Sequence, residues 1–169
     1  LAGLNSRLIK SKPLKVTDYP KYIAFIVLPQ IEVFMDNGYA KEEMNRVWET
    51  RKIFEDDSIM FNPTAVRVPV FYGHSEALHI ETKEKITAQK ARELLSKADG
   101  VEVLDDRVDG GYPTAVTEGA NHNATYVGRI REDISVEKGL NMRVVYAILC
   151  KEAALNSLPI AELLIKQYL

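Results

Sequence analysis

The apolar positions of this chain fall into short runs, alternations and helical periods, and these predict its elements in order. Tyr22–Leu28 (YIAFIVL) is almost wholly apolar and predicts a buried strand or packed segment, ended by Pro29. Asp36–Gly38 is a turn signal. Across Lys41–Glu55 the residues Met44, Val47, Trp48 and Phe54 recur at helical spacing on one side. Glu42 and Glu43 near its start and Arg51 and Lys52 near its end suit the helix dipole. Asp56–Ser58 breaks that helix. Thr64–Phe71 and Ser75–Thr82 are rich in Val, Phe, Leu and Ile and predict two strands, and the chain holds at least one hairpin-like pair. Thr87–Lys97 predicts a second amphipathic helix with Thr87 as N-cap and Ala88, Ala91, Leu94 and Leu95 inward. Val101–Leu104, Thr125–Ile130 and Leu140–Leu149 predict further strands, and Glu152–Gln167 a terminal helix. Between them lies a long polar loop, Asp105–Asn123.

Helices and strands mix without strict alternation, and no repeat recurs. The pattern predicts an α+β fold: a mixed, largely antiparallel sheet with helices packed on one face. Residues 1–19, basic and punctuated by Pro13, read as a lead-in, and residues 20–169 as one domain.

Composition narrows the function classes. With 169 residues, 46% hydrophobic and 27% charged, the chain is long enough for a sizeable core. A net charge of −2 offers no electrostatic case for nucleic acid or an anionic membrane surface. No apolar run approaches the roughly 20 residues that span a bilayer. The single cysteine, Cys150, excludes an internal disulfide framework and points to a reducing compartment, the cytoplasm. It ends an apolar run and reads as a buried small hydrophobe rather than a nucleophile.

Candidate chemistry gathers in Thr64–Ile80, read TAVRVPVFYGHSEALHI. Arg67 has the planar fork that clamps a carboxylate with two parallel hydrogen bonds. His74 is of the type that moves protons near neutral pH. They stand seven positions apart, and an odd separation puts two residues of a regular strand on opposite faces. One site holding both needs a break between them, and Pro69 and Gly73 are placed to provide it. Read blandly, Arg67 is an edge-strand charge and His74 a turn histidine. Glu42 can receive a substrate ammonium group, or simply satisfy the helix dipole. His74, His79 and His122 lack the spacing of a helical metal-ligand pair, and no metal is expected. No glycine-rich phosphate loop of the GxGxxG kind is present.

Five blocks carry a family resemblance: LPQIEVFMDNGYAKEEM, WETRKIFEDDSI, AVRVPVFYGHSEALHIET, YVGRIRED and KGLNMRVV. In this order they resemble the C-terminal half of aspartate-semialdehyde dehydrogenase, from about Tyr22 to Ile165. The resemblance implies an enzyme of two domains. The first is a Rossmann fold with the NADP fingerprint and a nucleophilic cysteine. The second supplies substrate contacts, the catalytic histidine and the homodimer interface. It implies a reversible, NADP-dependent phosphorylating reaction of aspartate-family amino-acid biosynthesis (lysine, methionine, threonine): aspartyl phosphate acylates the cysteine, phosphate leaves, and NADPH reduces the thioester to the semialdehyde. By position, His74 matches the acid/base histidine, Arg67 the arginine on the substrate carboxylate, and Glu42 the acid that contacts substrate. Reductases of acylated glutamyl phosphate share the plan, but the EDDSI and GRIRED blocks fit the aspartate enzyme better.

Several positions depart from the family pattern. Asn45 stands where the family has a phosphate-holding lysine; it can donate hydrogen bonds but carries no charge. Ile148 replaces the asparagine near the nicotinamide, Glu152 a glycine, and Ile26 a common asparagine. Pro159 stands where glutamine is frequent and predicts a kink or restart near Asn156–Pro159. The resemblance therefore predicts a substrate-binding and dimerisation domain that holds no cofactor and does not turn over alone, its Rossmann half being a possible separate partner. The alternative is a non-catalytic dimerisation module from a split or decaying gene.

Overall fold

The computed structural model describes residues 6–7, 9–10, 19–120, 122–147 and 155–168. The chain forms two compact units, Leu1–Pro69 and Val70–Leu169.

The first unit is built around helix α1, Lys41–Phe54. Glu43, in its first turn, reaches back to accept the Ala40 N–H at 2.8 Å, which satisfies a donor that an alanine N-cap cannot serve with its own side chain. The helix ends at Glu55, left-handed at φ 49°, whose N–H returns to the Arg51 and Lys52 carbonyls. Ile23, Ala24, Leu28, Ala40 and Val47 are buried. Of the predicted helical stripe only Val47 belongs to this core, while Trp48 and Phe54 are exposed.

Of the two forms predicted for Tyr22–Leu28 the chain takes the packed segment, not the strand: Phe25 is left-handed at φ 61°, and only Leu28 makes a bridge. Thr64–Phe71, predicted as a strand, is not one. Its one bridge joins Arg67 to Leu28, with Arg67 N donating to Leu28 O at 2.9 Å and Leu28 N to Arg67 O at 3.0 Å. Pro63 and Pro69 have no N–H to lend a ladder on either side.

The second unit is a four-stranded sheet in the order β1-β4-β3-β2, from β1 His74–Glu81, β2 Val101–Val103, β3 Thr125–Glu132 and β4 Gly139–Tyr146. β1 pairs antiparallel with β4, β4 antiparallel with β3, and β3 parallel with β2. This is the mixed, largely antiparallel sheet the sequence predicts. The hairpin-like pair is β3–β4, and β1 finds its partner in the distant β4.

Helix α2, Ala88–Leu95, covers one face of the sheet. Thr87 caps it, its hydroxyl accepting from Lys90 N at 3.1 Å. Ala88 and Ala91 pack on Val127, Ile130, Leu140 and Met142, while Leu94 points outward. Val127 and Ile130 are an odd distance apart, yet both face α2. Arg129, at φ 56°, is the extra residue of a bulge opposite Met142 and restores the parity. The ladder bonds lost there are replaced: Asp105 accepts from Ile130 N at 3.2 Å, and Arg92 donates to Ile130 O at 2.6 Å and to Asp105 at 2.6 Å.

The polar loop folds onto the opposite face, where Ala115 packs with Tyr126 and Val145. Helix α3, Leu155–Tyr168, includes Pro159. Its start at Leu155 leaves Pro159 early in the helix, where the missing N–H removes one bond. Ile148, Cys150 and Glu152 lie outside the described residues. Among the described residues no helix is long and apolar enough to cross a membrane.

Candidate functional site

The predicted site residues fall in both units. Glu42 and Asn45 stand on α1, and Arg67 on the segment bridged to Leu28; all three belong to the first unit. His74 opens β1 in the second.

Glu42 does not point freely off the helix end. Its Oε1 accepts from Arg46 Nη2 at 2.8 Å, one helical turn on. A carboxylate has about four lone-pair sites, so this pair leaves acceptor capacity for a second cation. Asn45 lies three residues beyond Glu42, the spacing that places side chains on one helical face. The Arg67 guanidinium lies over the Tyr19 ring, 5.4 Å from its centroid.

The backbone around Arg67 is fixed by a residue that sequence reasoning assigned only to the helix dipole. Glu43 Oε1 accepts from Ala65 N at 2.8 Å, while Oε2 accepts from Ala40 N. One carboxylate thus ties the start of α1 to the extended segment two residues before Arg67. The usual signature, Ser or Thr three residues before a Glu, is missing because Ala40 is the cap. The distant Ala65 partner carries no sequence signal at all.

The predicted break before His74 is present. Gly73 is left-handed at φ 77°, and a Cβ there would stand 2.9 Å from the Ala115 carbonyl oxygen and 3.1 Å from that of Tyr146. Only glycine meets both demands. The loop that presses on Gly73 is itself pinned: Glu118 accepts from Thr114 N at 2.7 Å and from the Thr117 hydroxyl. The Thr117 hydroxyl, with the Thr114 N–H, holds the Glu118 carboxyl below its usual range against a smaller opposing effect of burial.

His74 pairs across the sheet with Tyr146, ring centroids 5.2 Å apart and planes at 34°. The Tyr146 hydroxyl donates to Glu76 Oε1 at 3.0 Å. Glu76 lies two residues from His74 and so shares its face. His74, Tyr146 and Glu76 form a connected polar end to the sheet. Tyr146 and Glu76 are the members that sequence reasoning missed, because their partners are set by the β1–β4 register.

The other histidines have separate, structural places. His79 Nδ1 lies 2.9 Å from Asp133 Oδ2, and the His122 ring meets Tyr126 edge-on at 6.0 Å. Among the described residues no three His, Cys, Asp or Glu side chains gather as metal ligands. The parallel pair β2–β3 is joined by the polar loop, not by a glycine-rich turn leading into a helix.

Comparison with known proteins adds the family. Residues 1–148 match the family described as "Semialdehyde dehydrogenase, dimerisation domain". An aspartate-semialdehyde dehydrogenase of Shewanella violacea is 55% identical over 168 residues, which are 99% of this chain and 49% of that protein. One of Legionella pneumophila is 54% identical over 162 residues, 96% of this chain and 47% of that protein. The crystal structure of Vibrio cholerae aspartate semialdehyde dehydrogenase II complexed with ASA superposes with a TM-score of 0.94 at 46% identity, covering 99% of this chain and 49% of that one. The chain therefore spans about half the length of these relatives. It belongs to the semialdehyde dehydrogenase family, as the C-terminal, dimerisation-domain part of an aspartate-semialdehyde dehydrogenase.

Proposed function

We propose that this chain is the substrate-binding and dimerisation part of an NADP-dependent, phosphorylating aspartate-semialdehyde dehydrogenase, which acts when joined to a cofactor-binding half. The observation that carries the reading is the end-to-end match to one half of such enzymes, 99% of this chain against 49% of the relative. Arg67, Glu42 and His74 stand at the positions where the family resemblance calls for an anchor, an acid and a proton carrier. Arg67 binds the substrate carboxylate through its fork, which surrenders its place over Tyr19 to do so. Glu42 receives the ammonium group alongside Arg46. His74, held by Gly73 behind and Tyr146 beside, gives or takes the proton of the oxygen on the reacting carbon, while the hydride passes between that carbon and the cofactor. NADP supplies the hydride from the other half, and two such chains form the homodimer. On this reading the NADP fingerprint and the nucleophilic cysteine both belong to the other half.

Asn45 favours a second feature within this reading: weak phosphate use. An amide can donate hydrogen bonds to an anion but lacks the point charge of lysine. A decayed, non-catalytic dimerisation module is the competing reading that this same residue favours.

The test is reconstitution. Residues 1–169 are assayed with aspartate semialdehyde, phosphate and NADP, alone and joined to the cofactor-binding half of the Shewanella violacea relative. Turnover is expected only from the joined enzyme, and Asn45→Lys is expected to lower its KM for phosphate by about tenfold, the weight of one charge-assisted contact. Turnover by residues 1–169 alone contradicts the proposal. A joined enzyme that folds, dimerises and does nothing supports the decayed module.

A further inference from the structure

We propose that Glu43 is a positioning residue for the substrate site, setting Arg67 relative to Glu42 and Asn45. The inference rests on the substrate-binding reading above and deepens it.

Helix α1 carries Glu42 and Asn45, whereas Arg67 comes from a segment with no place in a sheet. Two attachments hold that segment's backbone near Arg67. One is the bridge to Leu28 at Arg67 itself. The other is Glu43, whose Oε1 takes the Ala65 N–H at 2.8 Å. Ala65 lies two residues before Arg67, so fixing its amide limits how the backbone enters Arg67 and with it the reach of the Arg67 side chain. The second oxygen of Glu43 holds the Ala40 N–H at the start of α1, also at 2.8 Å. A carboxylate offers two acceptor oxygens, one for each of the two N–H donors. Glu42 and Glu43 are neighbours in sequence with different tasks: Glu42 faces a cation, and Glu43 binds two backbone amides.

Glutamine is the diagnostic replacement. It keeps the length but has one acceptor oxygen, and its NH2 group faces an N–H where an acceptor is needed. Aspartate keeps the charge and a cap on the helix but is one methylene too short to reach both amides.

The test uses the enzyme made by joining this chain to the cofactor-binding half of the Shewanella violacea relative. Glu43→Gln and Glu43→Asp are each expected to raise the KM for aspartate semialdehyde by about tenfold, with kcat within about twofold. Arg67→Ala is expected to raise that KM by a larger factor. In the Arg67→Ala background, Glu43→Gln is expected to add nothing, because it acts through Arg67. Hydrogen exchange at the Ala65 amide is expected to speed up in both Glu43 variants, a readout available even if one of them turns over poorly. An unchanged KM in both Glu43 variants, with Arg67→Ala still raising it, overturns the positioning role and leaves the site reading intact. An equal KM effect of Glu43→Gln with and without Arg67 also overturns it, since the residue then serves the fold alone. If Arg67→Ala leaves KM unchanged, the substrate-site reading itself is what fails.

Discussion

The Tyr146 hydroxyl donates to Glu76 Oε1 at 3.0 Å across the β1–β4 pair, and the same Tyr146 ring flanks His74 at 5.2 Å. A tyrosine in a strand thus has two jobs. Its ring packs against the candidate acid/base residue, and its hydroxyl keeps a nearby carboxylate occupied. Tyr146→Phe separates the two by keeping the ring. We expect about 1 kcal/mol of lost stability, the usual net weight of one partly buried hydrogen bond. Urea unfolding measures it. A variant as stable as the parent shows that the Glu76 bond contributes nothing.

Gly73 sets up a second prediction by contrast with Gly38. Both are left-handed, at φ 77° and 86°, but a Cβ meets carbonyl oxygens at Gly73 and open space at Gly38. Gly38→Ala is expected to cost about 1 kcal/mol, from the backbone alone. Gly73→Ala is expected to cost about 3 kcal/mol, because the Ala115 and Tyr146 carbonyls must move as well. Equal losses in thermal or urea unfolding contradict the crowding argument.

Asp133 makes the stability of the second unit depend on pH. The Ser135 hydroxyl, the Ser135 N–H and the Asn141 amide hold its carboxyl far below the usual carboxylate range. The folded value is depressed, so the unfolded chain takes up the proton first. The stabilisation is therefore complete above the unfolded value, roughly pH 4, and is lost as pH falls from there through the folded value. Asp133→Asn is expected to flatten the loss of thermal midpoint below about pH 4 and to lower the midpoint at neutral pH. A parallel acid limb in both proteins excludes Asp133 as its source.

Local patterns made much of the fold legible. The apolar period and charge order announced α1, and Thr87 with its alanines announced α2. The alternation in Ser75–Thr82 marked β1, displaced by one residue toward the C-terminus. Thr64–Phe71 misled because its valines have strand propensity, whereas a strand also needs a partner, and the chain gives Arg67 only Leu28. The β1–β4 pairing joins His74 to Tyr146, far apart in sequence, and no local period encodes that. Arg129 hid the bulge in the same way, since an arginine carries no signal for left-handed backbone. At the site, Arg67, His74 and the Gly73 break were visible as residue types. The second partners, Glu43 to Ala65 and Tyr146 to Glu76, were not, because each is fixed by tertiary packing.

The central claim is that His74 moves a proton in the reaction of the complete enzyme. The most direct test is kcat of His74→Asn in this chain joined to the cofactor-binding half of the Shewanella violacea relative. A fall in kcat of about 100-fold or more is expected, the usual weight of a general acid/base, with KM for aspartate semialdehyde changed by no more than about threefold. A kcat equal to that of the unmutated joined enzyme contradicts it.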